Sequence, residues 1–112
     1  MSQDVRTVGD VTSITPKGML LGGKETDELQ AKIKELAEAG NKKLLINLGQ
    51  TSFMNSVSLG VLIAAHSNYA KRGAQMKLCA VDKKIQNIFV VTKLSLVFDV
   101  YDTEEEALKS FK

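Results

Sequence analysis

Asn55, Ser56 and Ser58 stand close together between Phe53-Met54 and the apolar run Leu59-Gly60-Val61-Leu62. The residues before them are strand-like and those after them helix-like, so the hydroxyls fall at a helix N-terminus. First-turn N–H groups there lack intrahelical partners and the helix dipole is positive, so an anion attached to Ser56 is tolerated locally. The chemistry that suits such a position is phosphate acceptance. Catalysis fits poorly. His66, the single histidine, follows Ser56 by ten residues, about 15 Å of rise along a helix. No acidic third member of a triad is suggested by spacing. His66 is therefore read as a helix-surface or partly buried residue.

The remaining reactive side chains are as quiet. Cys79 is the only cysteine, which excludes an internal disulfide framework and any Cys/His metal cluster. It lies in the apolar run Met76-Lys77-Leu78-Cys79-Ala80-Val81, where a buried, inert thiol in a reducing compartment is expected. Gly18, Gly22 and Gly23 lack the spacing of a dinucleotide fingerprint, and no phosphate-binding lysine motif follows them, so they are turn residues. No enzyme activity, metal or cofactor is expected.

Fifteen Lys and Arg against thirteen Asp and Glu leave a net charge of +2. The two signs are interspersed, as in Lys32-Ile33-Lys34-Glu35, which gives no footprint for direct nucleic-acid binding. The pairs Lys42-Lys43, Lys71-Arg72 and Lys83-Lys84 are taken as solvated faces and loop ends. Neither a signal-peptide core at Met1-Ser2-Gln3-Asp4-Val5-Arg6 nor a membrane-spanning run is visible, so a cytoplasmic protein without a membrane partner is expected.

These residues need a scaffold, and 112 residues allow a single core. Val5–Val8 and Val11–Thr15 are expected to form a hairpin about Gly9-Asp10, ending near Pro16. Gly18 to Gly23 is expected to be a loop. Leu29, Ile33, Leu36 and Ala37 recur at helical spacing between Lys24 and Ala39, stopped by Gly40-Asn41. Lys43–Leu48 is nearly continuously apolar, as a central strand covered on both faces must be. A helix from about Ser56 to Arg72 is predicted to bury Leu59, Leu62, Ile63, Ala65 and Tyr69 or close neighbours of these. Then follow a strand at Met76–Ala80, a helix at Lys83–Thr92, a strand at Val97–Tyr101 and a terminal helix opened by a Thr103/Glu106 capping box. Such alternation predicts an α/β fold with right-handed crossovers.

Gly18, Asn47-Leu48, Phe53 to Leu62, Gly73, Lys77-Leu78, Ile85 to Phe89, Val97 to Asp102 and Glu105-Ala107-Leu108 together resemble the STAS domains of bacterial anti-sigma factor antagonists. The resemblance implies a single STAS domain over residues 1–112, a mixed, mostly parallel sheet of about five strands with about four helices. In the family's central motif the first serine after Asp is the phosphorylated one, and that position is Ser56 here. Asn55 replaces the usual Asp, Val57 a commonly small or hydroxyl residue, and Ser58 the usual Gly. Asn55 remains a competent N-cap, and Ser58 offers a second acceptor.

By resemblance, the unmodified domain binds an anti-sigma factor serine kinase and thereby frees a sigma factor. Phosphorylation of Ser56 releases that partner, and a metal-dependent serine phosphatase resets the switch. Partner contact is assigned to Met54, Asn55, Ser56, Val57 and Ser58; Phe53, Met54 and Val57 either form an exposed patch or close the core. The alternative is a STAS scaffold or adaptor whose binding is constitutive.

Overall fold

The protein is seen in a computed structural model, which describes residues 3–111; Met1, Ser2 and Lys112 lie outside the described residues. In chain order its elements are β1 (Gln3–Val8), β2 (Val11–Pro16), β3 (Gly18–Leu20), α1 (Lys24–Glu38), β4 (Lys43–Asn47), β5 (Thr51–Met54), α2 (Ser56–Lys71), β6 (Gln75–Cys79), α3 (Lys83–Val91), a 3₁₀ turn (Leu94–Leu96), β7 (Val100–Tyr101) and α4 (Glu104–Ser110).

The main sheet has the order β1-β2-β4-β6-β7. β1 and β2 pair antiparallel as a hairpin, and every later pairing in this sheet is parallel. β4 is central, as its apolar run requires: Leu44, Leu45 and Ile46 are all fully buried. Their alternation feeds two layers. Leu44 and Ile46 join Leu29 and Ile33 of α1, Leu59, Leu62 and Tyr69 of α2, and Ile85 and Phe89 of α3 in the larger core. Leu45 turns to the other face, where Cys79, Val11 and Ala107 of α4 form the smaller one. Each fully buried Leu or Ile contributes about 1.5–3 kcal/mol.

Helix ends follow the sequence signals. Gly40 (φ +87) stops α1, with Asn41 N–H bonded to Leu36 O at 2.9 Å, and Gly73 (φ +70) stops α2, with Ala74 N–H bonded to Tyr69 O at 2.8 Å. These left-handed positions suit glycine, which has no Cβ to clash. Thr103 caps α4 by accepting from Glu106 N–H at 3.1 Å. Glu106 meets the Thr103 hydroxyl at 3.2 Å rather than the backbone, so only one half of the expected capping box forms.

Three expectations need correction. The segment Gly18 to Gly23 is not all loop, because β3 pairs in parallel with β5, the strand-like stretch before Asn55, in a separate two-stranded sheet. The last strand does not begin at Val97. The chain first makes the 3₁₀ turn and buries Phe98 against the ring of Phe89, 5.6 Å between centroids, leaving only Val100–Tyr101 to pair. Ile63 is 40 % exposed, not buried, because the buried stripe of α2 runs through Leu59, Leu62, Ala65 and Tyr69.

Candidate functional site

The short β3–β5 sheet delivers the chain to the start of α2. Thr51 is buried and donates its hydroxyl to Pro16 O at 3.1 Å, fixing one end of β5. Met54 fixes the other, 1 % exposed within the larger core. Between them Phe53 points outward beside Met19 of β3, its register partner.

Asn55 then starts α2. Its Oδ1 accepts from Val57 N–H at 3.1 Å and Ser58 N–H at 3.2 Å, while the Ser58 hydroxyl oxygen accepts from Asn55 N–H at 3.0 Å. This reciprocal box satisfies orphan amides on both sides of the helix start. The other half of the Asn55 amide does a second job, donating from Nδ2 to Leu21 O at 3.0 Å. An aspartate could cap the helix but could not donate to that carbonyl. Asn55 thus ties the loop after β3 to the start of α2.

That loop is held at further points. Gly22 N–H donates to Thr26 Oγ1 at 2.9 Å. Gly22 also takes φ +91 with Val57 packed over it: a Cβ there would lie 3.0 Å from Val57 Cγ1. The exposed surface around the helix start is consequently apolar, with Met19 49 %, Leu21 44 %, Phe53 41 % and Val57 55 % exposed. The first turn of α2 carries no acidic residue.

Ser56 is the first residue of α2 and is exposed. Among the described residues no hydrogen bond engages its hydroxyl. Ser58 is different: it is fully buried and its hydroxyl belongs to the capping box, donating to Asn55 O at 3.1 Å. Of the five expected contact residues, the structure therefore presents Asn55, Ser56 and Val57 at the surface and withdraws Met54 and Ser58. Met54 closes the core beneath the strand, and Ser58 is needed to hold the helix start, so neither side chain faces a partner and Ser58 is not an accessible acceptor. Leu21, Met19 and Gly22 join the site from a segment whose strand pairing was not legible in the sequence.

No second chemistry is assembled nearby. His66 is half-buried and packs edge-on against Phe98 with ring centroids 5.4 Å apart. Among the described residues no group of three His, Cys, Asp or Glu side chains is placed to hold a metal. An open groove of about 460 Å³ between α1 and α2 is lined by Ile33, Ala37, Val61 and Ala64, and Ser56 does not border it. Burial pushes the Cys79 thiol up to about 11 and, as the larger influence over the opposing Arg72 charge, raises Tyr69. The hydrogen bond from Lys43 lowers Asp10.

Two polar clusters that sequence patterning did not signal hold α4. Glu104 accepts from Asn47 Nδ2 at 2.8 Å and from Ser13 Oγ at 3.3 Å and pairs with Arg6. Lys77, 8 % exposed, donates to Ser110 O at 3.0 Å and Oγ at 2.9 Å, with its ammonium 4.9 Å from the Phe111 ring centroid and 5.4 Å from that of Tyr101. Both are structural devices on the face of the sheet opposite α2.

A three-layer α/β arrangement that exposes a serine at the start of α2 is the geometry to set beside known proteins. The family model for the STAS domain matches residues 2–107, and the chain belongs to that family. It is similar to the anti-sigma-B factor antagonist of Listeria monocytogenes, 29 % identical over 79 residues, which cover 67 % of this chain and 69 % of that one. Its fold matches the crystal structure of a Thermotoga maritima protein with a TM-score of 0.89 at 22 % identity, covering 96 % of this chain and 92 % of the other. It also matches the anti-sigma factor antagonist SpoIIAA in its unphosphorylated form, TM-score 0.77 at 20 % identity, covering 96 % of this chain and 94 % of that one. The phosphorylated form of SpoIIAA gives the same TM-score and identity, covering 96 % of each chain. Among the described residues no helix is long and apolar enough to cross a membrane.

Proposed function

We propose that this chain is a cytoplasmic anti-sigma factor antagonist that works as a phosphorylation-controlled partner switch. The observation that carries the reading is the exposed, unengaged hydroxyl of Ser56 among Phe53, Leu21 and Val57. Unmodified, that surface buries apolar area against an anti-sigma factor serine kinase, whose capture frees a sigma factor. Binding is the whole output; no bond in another molecule is made or broken by this chain.

Phosphorylation of Ser56 adds about −1.5 to −2 charges to an apolar contact. The α2 N-terminus offsets a part, typically ~0.3–1 kcal/mol. That offset is limited because Asn55 already occupies the Val57 and Ser58 N–H groups. A partner has to desolvate the phosphate, and each ~1.4 kcal/mol of net penalty weakens binding about tenfold. A metal-dependent serine phosphatase restores the binding form.

The scaffold alternative would rest on Asn55 and Ser58, which depart from the family motif. Both have local structural roles that keep the helix start intact, which supports a switch whose acceptor geometry survives the departures. Calorimetric titration of the cognate kinase with the unmodified chain, Ser56→Ala and Ser56→Asp tests the proposal. Ser56→Ala binds like the unmodified chain, and Ser56→Asp binds at least about tenfold more weakly. Equal binding by Ser56→Asp defeats the switch and leaves the scaffold.

A further inference from the structure

The end of the domain opposite Ser56 carries a second exposed apolar surface. α2 and α3 run antiparallel to β4 and β6, so the last turns of these helices gather where those strands begin. There Val90, Val91, Leu96 and Val97 are 63, 81, 83 and 44 % exposed. They lie within one tight reversal, with Lys93 N–H bonded to Val90 O and Leu96 N–H to Lys93 O, each at 3.1 Å. Val91 and Leu96 are more exposed than any other large apolar side chain among the described residues.

The same end collects cations. Lys42, Lys43, Lys71, Arg72 and Lys93 stand at element ends that meet there, against Asp10, Glu38 and Asp99, and Asp10 is neutralised by Lys43 at 2.7 Å. Lys42, Lys71 and Lys93 take part in no ion pair among the described residues. Lys93 is notable for its backbone. Where Gly40 and Gly73 end α1 and α2, α3 ends with Lys93 in the left-handed region at φ +65. A side chain at such a position is disfavoured relative to glycine, and the favourable contact of its charge with the helix C-terminus offsets only part of that. The chain keeps an exposed cation where backbone strain argues for none.

Against the expectation of no membrane partner, we propose that this end of the domain docks reversibly on an anionic lipid surface. Val91 and Leu96 enter the headgroup–acyl boundary and Lys42, Lys71 and Lys93 lie over the headgroups. The apolar area these side chains offer is on the order of 400 Å², about half of the ~800 Å² per partner of a stable protein interface. A lipid surface asks for no such area, because each inserted apolar side chain and each lysine over anionic headgroups adds to a weak, reversible attachment. Docked this way, Ser56 points away from the membrane and stays open to its partners. No membrane-crossing helix is required, so the absence of one among the described residues is no obstacle.

Flotation with vesicles of phosphatidylcholine alone, and of phosphatidylcholine and phosphatidylglycerol in equal parts, at low and high salt, tests this. The chain should float only with the anionic vesicles, and high salt should release it. The double variant Val91→Asp/Leu96→Asp, whose sites are too exposed to disturb folding, should not float, and circular dichroism checks that it is folded. Lys93→Gly should weaken flotation about fivefold while raising thermal stability, a combination that a structural role for Lys93 does not give. Absence of flotation with anionic vesicles, or flotation undiminished by the double variant, overturns the proposal. So does concentration-dependent dimerisation that the same variants abolish, which would make a second copy the occupant.

Discussion

Replacing Asn55 separates its two roles. Asn55→Ala removes the cap on Val57 and Ser58, worth about 1 kcal/mol, and the Nδ2 bond to Leu21 O, worth about 0.5–1 kcal/mol at an exposed carbonyl. The expected loss is about 1.5–2 kcal/mol, or a fall in Tm of roughly 6–8 °C at this chain length. Asn55→Asp keeps the cap and gains about 0.3–1 kcal/mol from a carboxylate at the helix N-terminus. It loses the donor and sets an oxygen against the Leu21 carbonyl, so its net stability change is close to zero. The assay is urea denaturation combined with residue-resolved amide exchange. In Asn55→Ala, the amides of Ser58 and Gly22 both exchange faster. In Asn55→Asp, Ser58 stays protected while Gly22, in the loop bonded to Thr26, becomes labile. Unchanged protection of Gly22 in Asn55→Asp would refute the claim that the amide nitrogen holds the loop to the helix start.

Other consequences follow from the same geometry. Gly22→Ala forces a side chain into φ +91 against Val57 and should cost about 1–2 kcal/mol; kinase affinity should fall with it, measurable by titration beside a melting curve. Lys77→Ala loses both bonds to Ser110 and should cost about 2 kcal/mol. Lys77→Met should cost less, since it keeps the buried stem and removes the desolvated charge; equal losses in urea titrations would show that the stem does not matter. The Cys79 thiol, raised from 9.0 to about 11, should resist alkylation at pH 8 until the protein is unfolded. The folded state holds this proton more tightly than the unfolded one, so stability present below pH 9 is lost as the pH rises through about 11. Tyr69, also raised, acts in the same direction, and Cys79→Ala should flatten the slope of stability against pH over that range without removing it.

Much of this architecture was legible because its signals are local. The continuous Leu44-Leu45-Ile46 run required cover on both faces, and Gly40 and Gly73 marked helix ends where a left-handed residue was needed. β3, and its pairing with the strand-like stretch before Asn55, escaped notice because three residues give no measurable alternation and the pairing joins segments more than thirty residues apart. The last strand was placed too early because Val97-Phe98-Asp99-Val100-Tyr101 has strand propensity throughout. Tertiary burial of Phe98 beside Phe89 and His66 overrides it.

At the site, Ser56 and the Asn55 cap were visible from composition and position. The burial of Met54 and Ser58 was not, because a strand end and a first helical turn are too short for periodicity to orient. Nor was the contribution of Leu21 and Gly22, which meet the neighbours of Ser56, Leu21 through its hydrogen bond from Asn55 and Gly22 through its packing contact with Val57.

The central claim is that Ser56 is the acceptor, and phosphosite-resolved mass spectrometry of the protein isolated from its own cells tests it most directly. Resting and stressed cultures would be compared, with a Ser56→Ala strain alongside. The account predicts phosphate on Ser56 that changes with condition, is absent from the variant and never appears on the buried Ser58. Full peptide coverage without phosphate on Ser56 in any condition, or phosphate on Ser58 in its place, would contradict it.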